Sequence, residues 1–567
     1  MDKPQPKEWT LMFYLASDNP LAPSIVSQLK AIKQAGFHPE ANVIAQFDPY
    51  TEGTPTHIFD VNLINKLKNH GAPNIGFVSN DPYVRNLIED KLWRNQKDRF
   101  GKDRIRDQIK RTLAAKGITY DPPMPPEDRS ASGHGATPGY LQELDPKTSL
   151  GNFLKFCSDN YPARHYILFL LGHGVIVGND IFLYDEHAAE HSLKLKELGE
   201  VLTTFKQDIE KQDAEFELVS FHSCSVSSLE VAYELQGTAN YMLASQSPAF
   251  VGSWPYRQIL IRVFNSLLKD GSAIDIKDML IRIFYYCLYN SADFLLAGYS
   301  FDLSLCNLNE VSAIKDPLEE LSTALVYGLN DPSVRDLILL SHWKAQSYWQ
   351  ESYTDLYDFC FCLSRNCTDF MAMAGPATGT LRTIKRACGG VMEALMKERG
   401  GEDGRIIVRS EYAGPAYQYS HGLSVFFPWV KPSADSQVME EYRGYKFEET
   451  SWISFLERYF AKTMRDTHRK EDRYDRRAAP PRRSNDEDEL LEDITSLVYN
   501  EEGQLSEDSA LNHKVNALDP TGDECTCGAI KNYPHDTRAR REKERQAAQR
   551  RAPVSQTFFD EFQGWSE

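Results

Sequence analysis

Short apolar runs, each bounded by turn residues or polar segments, are the most regular feature of the chain. Runs of about four to eight residues predict strands, and unbroken ones predict strands that are buried on both faces. The predicted strands are at residues 9–15, 42–47, 57–64, 166–171, 217–221 and 241–245. The run YILFLL at 166–171 is continuous, so we expect it near the centre of a sheet.

Amphipathic segments lie between these runs and predict helices. They cover residues 21–35, 149–160, 193–209 and 227–235, and Gly36 ends the first of them. Strands and helices that alternate in this rhythm favour an α/β fold with a mostly parallel sheet.

The pattern changes along the rest of the chain. Residues 256–460 alternate long helices with a few strands, notably at 423–427, whereas 117–140 is rich in Pro, Gly and Ser and predicts an exposed loop. After about residue 465 the chain mixes both charge signs with proline, a composition that buries too little apolar surface to fold. We therefore predict three parts: residues 1–260, a helix-rich part at 261–464 and a mostly disordered tail at 465–567.

Composition narrows the classes of function. Of the 567 residues, 41% are hydrophobic, which allows a large core, and the formal net charge is −18. This charge argues against a protein whose whole surface binds nucleic acid. No stretch approaches the roughly 18–20 apolar residues of a membrane span. The apolar run at 11–16 is shorter than the h-region of a secretory signal, about 7–15 residues. We therefore expect a cytoplasmic protein without membrane contacts.

Candidate chemistry lies at the ends of two predicted strands. One run leads into Gly172-His173-Gly174 and another into His222-Ser223-Cys224. Because sites in open α/β sheets lie beyond the carboxyl ends of strands, we expect His173 and Cys224 to face one crevice. A Cys–His pair can perform nucleophilic acyl transfer, in which the thiolate attacks and the imidazole handles protons.

Taken alone, each residue also fits an ordinary structural role. A single cysteine at a strand end is usually a small core residue, and a histidine between glycines is more often part of a turn. The pairing of the two makes the catalytic interpretation stronger, and the Gly174 amide becomes a candidate oxyanion donor. Two other His-Gly pairs, at His134 and His421, do not follow a predicted strand.

Eight stretches of the chain resemble the clostripain family of cysteine peptidases, in the clan that shares the caspase fold. They are WTLMFYLASDN, NVIAQFD, YPARHYILFLLGHG, GNDIFLYDEH…LKLKELGEVL, ELVSFHSCSVSSLEVAYEL, YMLASQSPAFVGSWPY, YSFDLSLCNL and SHGLSVFFPW. The motifs are short, but their order and spacing agree over roughly residues 8–460. The resemblance implies a caspase-like, mixed and mostly parallel sheet flanked by helices, with the catalytic domain in 1–260 and the rest of the peptidase unit in 261–464.

The resemblance also implies roles for individual residues. His173 would be the catalytic histidine and Cys224 the nucleophile of a dyad, with the backbone amides of Gly174 and Cys224 as the oxyanion hole. Family members commonly carry an aspartate two residues before the cysteine, in an acidic pocket that binds Arg or Lys at P1, the residue before the cleaved bond. This chain has His222 there, which puts that preference in doubt. The other implied pocket residues, none of them acidic, are Ser245, Gln246, Ser247 and Trp254.

Activation by proteolytic cleavage is a further implication, because relatives are often made as zymogens. The candidate cut regions are the 117–140 loop, with Arg129, and residues 185–196, where relatives are cut. The substrates would be proteins or peptides, and an activating protease or regulator could act on the chain. No cofactor is required, although relatives can depend on calcium; Asp180, Asp185 and Glu186 form an acidic cluster, which more often is solvated surface.

Two other functions remain open from the sequence: a caspase-like binding module without activity, and a transpeptidase. In the tail, Cys525, Cys527 and His535 resemble half of a zinc site, residues 538–551 predict a basic helix, and 558–565 is an apolar and acidic segment that could dock to a partner. Microbial proteases with a caspase fold often serve defence or programmed cell death, so such a role is an expectation by analogy.

Overall fold

The computed structural model describes the two stretches of chain that carry the strand-end motifs, together with most of the helix-rich part. The described residues are 5–36, 38–48, 56–61, 144–174, 177, 181–188, 190–267, 275–290, 299–349, 351–372, 375–396, 405–432 and 437–474. The predicted loop at 117–140, His134 and the tail beyond residue 474 lie outside this part of the chain.

Eleven strands are formed by the described residues. They are β1 Lys7–Leu15, β2 Ala41–Phe47, β3 His57–Asp60, β4 Ala163–Leu171, β5 Glu215–His222, β6 Tyr241–Ala244, β7 Phe301–Asn307, β8 Ser347–Tyr348, β9 Tyr353–Asp355, β10 Ile407–Ala413 and β11 Ser424–Phe426.

The α-helices of the same residues lie mostly between these strands. They are α1 Ala22–Lys33, α2 Pro146–Asn160, α3 Leu195–Glu210, α4 Leu229–Glu234, α5 Tyr256–Leu267, α6 Ile276–Asn290, α7 Lys315–Gly328, α8 Pro332–Lys344, α9 Leu356–Met371, α10 Thr378–Met396, α11 Val438–Arg443 and α12 Trp452–Tyr474.

Eight of the strands form one sheet in the order β10-β7-β6-β5-β4-β1-β2-β3. The five central strands from β6 to β2 are parallel. At one end β3 pairs antiparallel with β2, and at the other β7 pairs antiparallel with β6 and β10 antiparallel with β7. The α/β class with a mixed, mostly parallel sheet is thus confirmed. Because β7 and β10 come from residues beyond 260, the sheet continues into the helix-rich part of the chain.

Unbroken apolar runs became central strands because helices cover both faces of the sheet. Along β4, Leu168 and Leu170 pack into one core, whereas Phe169 and Leu171 pack into the core on the opposite face. Phe13 of β1 stacks on Phe169, with ring centroids 4.8 Å apart. Both faces of β4 therefore lose their water on folding, which fits a run without alternation.

A small antiparallel sheet, in the order β11-β9-β8, packs beside the carboxyl ends of the large one. Ser228, which caps α4, forms a bridge with Ser424 of β11. Glu230, fully buried in α4, accepts hydrogen bonds from the Phe426 amide at 2.8 Å and from the Tyr442 hydroxyl at 2.7 Å. The helix that follows the Cys224 turn is thereby fixed to the C-terminal part of the chain.

The predicted strands and helices of the first half agree with the observed ones within a few residues. For the third run, predicted at 57–64, the strand observed is His57–Asp60, which is antiparallel to β2, and residues 62–64 lie outside the described part of the chain. No helix among the described residues is both long enough and apolar enough to cross a bilayer.

Candidate active site

Parallel pairing of β4 with β5 brings the two predicted strand ends together. Leu171 lies opposite His222 in the register of this pair. His173 and Cys224 each follow two residues later, and their side chains are 1% and 0% exposed. The crevice expected from the sequence is therefore a closed junction between two turns, with both reactive side chains inside it.

Gly174 makes the closest contact between the two turns. A Cβ atom placed on it would lie 2.0 Å from the carbonyl oxygen and 2.2 Å from the amide nitrogen of Cys224. Real Cβ atoms essentially never approach so closely, so only glycine fits here without a backbone shift. The contact places the Gly174 backbone directly against the peptide group of the candidate nucleophile.

His173 is covered by the segment that follows it. Its carbonyl oxygen accepts a hydrogen bond from the Leu183 amide at 3.0 Å. The Tyr184 ring meets the imidazole edge to face, with centroids 6.3 Å apart, and it also stacks on the His191 ring, with centroids 5.6 Å apart. The hydroxyl of Tyr353, in β9, donates to the carbonyl of Val177. These contacts fix the chain on the C-terminal side of His173.

The same segment is tied to the turn after β1. His187 Nδ1 contacts both oxygens of the buried Asp18, at 2.7 and 2.9 Å, and Asn19 donates to the Tyr184 carbonyl at 2.9 Å. Asp185 accepts hydrogen bonds from the His187 and Ala188 amides. The 185–196 region, where the resemblance implies cleavage, is thus anchored at its start.

Cys224 lies in a turn that depends on a neighbouring loop. Its Sγ donates to the Ala249 carbonyl at 3.6 Å. The next residue, Ser225, has a φ of 51°, in the left-handed region that non-glycine residues adopt at a cost. The amide of Ser225 donates to the Ser247 carbonyl at 3.1 Å. The loop at 245–249 therefore supports the backbone of the candidate nucleophile.

His222 contacts only the interior of the protein in the hydrogen bonds that the structure shows. Its Nδ1 contacts the Tyr256 hydroxyl at 2.9 Å, and its Nε2 contacts the Phe250 carbonyl at 2.6 Å. The ring stacks on Trp254 with centroids 4.3 Å apart. Burial lowers the pKa of His222 from 6.5 to about 3, so the imidazole is neutral at ordinary pH. The position where the family resemblance implies an aspartate therefore carries no charge in this chain.

This burial predicts a pH dependence of folding stability. The unfolded chain protonates His222 below pH 6.5, whereas the folded chain resists protonation until about pH 3. The contribution of the neutral imidazole to the free energy of unfolding is complete above pH 6.5. It is lost as the pH falls below that value, by up to about 1.4 kcal/mol per pH unit. His342, whose pKa burial also lowers to about 3, adds a similar slope. Urea unfolding between pH 4.5 and 7.5 measures how the free energy of unfolding changes with pH. At the acid end of this range, His222→Gln should take up about one proton fewer on unfolding than wild type. Equal slopes for the two proteins would contradict a buried, neutral His222.

The other implied pocket residues are buried and bonded within the protein. Trp254 Nε1 donates to the Ser220 hydroxyl at 3.0 Å, and the Ser245 hydroxyl donates to the Ser247 carbonyl at 3.0 Å. The Gln246 side chain donates to Asp355 at 3.1 Å and accepts from the Gly422 amide at 2.9 Å. Their polar groups are thus paired with groups of the protein itself. The structure brings Ser247 against the Cys224 turn, where its carbonyl accepts from the Ser225 amide, and it brings Trp254 against the ring of His222.

Two buried aspartates next to this loop were not singled out from the sequence. Asp302 of β7 and Asp355 at the start of α9 are 2% and 0% exposed, and both accept hydrogen bonds from Gln246. Burial raises the pKa of Asp302 from 3.8 to about 6. The available signal was an aspartate inside the apolar strand FDLSLCN, because a buried carboxylate requires hydrogen-bond partners.

His421, one of the two other His-Gly pairs, has a partner of its own. Its amide donates to Asp355 at 2.6 Å, its ring nitrogen Nδ1 lies 3.3 Å from the same carboxylate, and the ring stacks on Tyr357. It precedes β11, as its place in the sequence predicts. Among the described residues, no group of three or more His, Cys, Asp or Glu side chains could hold a metal ion. Asp180 of the acidic cluster and the Cys525, Cys527 and His535 group fall outside them.

Comparison with known proteins adds a family match to this geometry. A model of the clostripain family matches residues 141–459, more than half of the chain. Solved structures that match this chain include a secreted C11 cysteine protease from Bacteroides thetaiotaomicron, in complex with an irreversible peptide inhibitor. The two sequences are 12% identical, the match covers 79% of this chain and 99% of the protease chain, and the TM-score is 0.43.

A second similar structure is an inactive zymogen C11 protease from Parabacteroides distasonis. It is 16% identical, with coverage of 79% of this chain and 99% of its own, and a TM-score of 0.41. The search of curated proteins found no match.

Proposed function

The chain belongs to the clostripain family and is a cysteine-type peptidase, and from this premise we propose that it is an endopeptidase with Cys224 as nucleophile and His173 as its base. The observation that carries the proposal is the junction of the two turns, where Gly174 packs against the Cys224 peptide group. The turns that follow two neighbouring strands meet there, and they carry an imidazole and a thiol, the two groups that acyl transfer by a cysteine peptidase uses.

The reaction would proceed in two halves. His173 takes the thiol proton, and the Cys224 thiolate attacks the carbonyl carbon of the scissile bond. The backbone amides of Gly174 and Cys224 would donate hydrogen bonds to the oxyanion. His173 then protonates the leaving amine, and the acyl-enzyme is hydrolysed by water that the same histidine activates.

A peptide-library cleavage profile tests this function and the P1 preference together. The neutral His222 removes the negative charge expected at the pocket, and the carboxylate oxygens of Asp302 and Asp355 accept hydrogen bonds from within the protein. We therefore propose that selectivity for Arg or Lys at P1 is weaker than an acidic pocket would give. A profile with only basic P1 residues would contradict this weakening. Complete lack of cleavage would instead favour the binding module.

We also propose that cleavage of the chain activates the enzyme, because both dyad side chains are buried and a substrate must reach them. A cut within 185–196 would remove the covalent connection on the C-terminal side of the segment that covers His173, so that contacts such as those with Asp18 and Asn19 alone would hold it in place. We expect wild type to give two fragments on incubation, with activity rising in parallel, and Cys224→Ala to stay intact alone. Denaturing gels and mass spectrometry locate the cut.

A mixing experiment and a pair of substitutions extend this test. Addition of wild type to Cys224→Ala shows whether the cut occurs between molecules. Lys194→Gln removes an exposed basic residue of the segment, and Arg129→Gln is the matched change in the 117–140 loop. Wild type that remains intact yet has full activity would refute activation by cleavage.

A further inference from the structure

We propose that Asp302 is a positioning residue for the peptidase reaction, which holds the Cys224 turn through the 245–249 loop. This inference rests on the proposed function of Cys224. It goes beyond the dyad because Asp302 lies on β7 and makes its contacts with the loop. Asp302 reaches the nucleophile in three steps: its carboxylate binds the loop, the loop binds the turn, and the turn carries Cys224.

The first step is a pair of hydrogen bonds from consecutive amides. Asp302 Oδ1 accepts from the Ser247 amide at 2.7 Å, and Oδ2 accepts from the Gln246 amide at 3.1 Å. The Asp302 amide donates in return to the Ser247 hydroxyl at 3.1 Å. Three hydrogen bonds therefore join one residue of β7 to two residues of the loop.

The second step runs from the loop to the turn. The Ser247 carbonyl accepts from the Ser225 amide at 3.1 Å, and the Ser245 carbonyl accepts from the Val226 and Ser227 amides at 3.1 and 2.9 Å. The Ala249 carbonyl accepts from Cys224 Sγ at 3.6 Å. All four residues from 224 to 227 therefore donate to this short loop.

The third step is the conformation of the turn itself. Ser225 is held at a φ of 51°, a strained value that persists only where the surroundings impose it. If the loop moved, the Ser225 amide would lose its acceptor and the turn could relax. A shift of about 1 Å at the nucleophile is enough to cost on the order of 100-fold in rate.

A carboxylate suits this position better than a neutral side chain. Two amides of consecutive residues point at Asp302, and an ionised carboxylate offers an acceptor oxygen to each of them. An asparagine would turn its NH₂ group toward one amide and lose that bond. Gln246 also binds Asp355 and the Gly422 amide, so a second anchor remains when Asp302 is changed.

The test compares Asp302→Asn with Asp331→Asn. Asp331 also accepts hydrogen bonds from two consecutive amides, those of Ser333 and Val334, but it does so at the start of α8. We expect kcat of the processed Asp302→Asn enzyme to fall about 10- to 100-fold with KM within about threefold, whereas Asp331→Asn keeps wild-type kcat. A loss of stability alone would lower the amount of active enzyme, which titration with an irreversible peptide inhibitor measures, and would leave kcat per site unchanged.

Several outcomes would overturn the proposal. They are a kcat of Asp302→Asn within twofold of wild type, an equal loss in Asp331→Asn, or a change confined to KM. If Asp302→Asn does not fold, Ser247→Ala removes only the hydroxyl that accepts from the Asp302 amide; it should lower kcat about three- to tenfold, and an unchanged kcat would refute the role. An inactive wild type, or an active Cys224→Ala, would instead refute the proposed function itself.

Discussion

Replacement of Cys224 by alanine should lower kcat by about 10⁴-fold or more while the protein stays folded. The covalent route disappears with the thiol, because alanine offers no nucleophile and His173 has no proton to accept from it. The measurement is kcat for the library peptide that wild type cleaves fastest. The circular dichroism signal gives the amount of folded protein for each variant.

Stability should change little in this variant. The Sγ atom makes a weak hydrogen bond to the Ala249 carbonyl in a fully buried site, so its loss should cost about 1 kcal/mol. Cys157→Ala is the matched control: it removes another fully buried thiol, in α2, and should cost a similar free energy with full activity. Activity above a few per cent in Cys224→Ala would show that another residue is the nucleophile.

Gly174→Ala, which adds a single methyl group, should lower both the stability of the protein and its activity strongly. The added Cβ would lie 2.0 Å from the Cys224 carbonyl oxygen, so one of the two turns must move. We expect a loss of about 3 kcal/mol or more in the free energy of unfolding. We also expect a drop in kcat of about 100-fold or more, because the shift displaces a proposed oxyanion donor.

The control for this prediction is Gly389→Ala, in the interior of α10. A Cβ there has no atom within 4 Å, and alanine in a helix gains about 0.5–1 kcal/mol over glycine. Urea unfolding should therefore show stability changes of opposite sign for the two variants, and kcat should fall only in Gly174→Ala. A Gly174→Ala enzyme with near-normal stability and activity would mean that the turns are further apart than the structure places them.

The amino-acid sequence predicted the elements whose structure depends on neighbouring residues in the chain. The continuous apolar runs at 166–171 and 217–221 require burial on both faces, which places them as central parallel strands, and the polar turns at their ends follow from that placement. By contrast, β7 and β10 were not identified among the helices of 256–460. Their places at this end of the sheet depend on pairing between residues about 100 positions apart in the chain, Phe301–Asn307 with Ile407–Ala413.

The surroundings of the candidate site also depend on contacts between residues that are far apart in the chain. The change from an expected aspartate to His222 could be read from the sequence, and so could the loss of a negative charge. That the imidazole is neutral and bonded to Tyr256 and Phe250 could not, because both partners come from the segment after β6. Asp302 and Asp355 were missed for a similar reason: residue type shows that a carboxylate needs donors, and only the fold shows which donors it finds.

The adjacency of β4 and β5 determines what a cut at 185–196 would leave behind. One polypeptide would keep β1 to β4, and the other would keep β5 and everything after it, yet these two strands pair over seven register positions in the middle of the sheet. The halves would form an obligate heterodimer, with an interface that is the hydrophobic core itself. Such an enzyme would elute as a single species from a sizing column and give two bands only after denaturation.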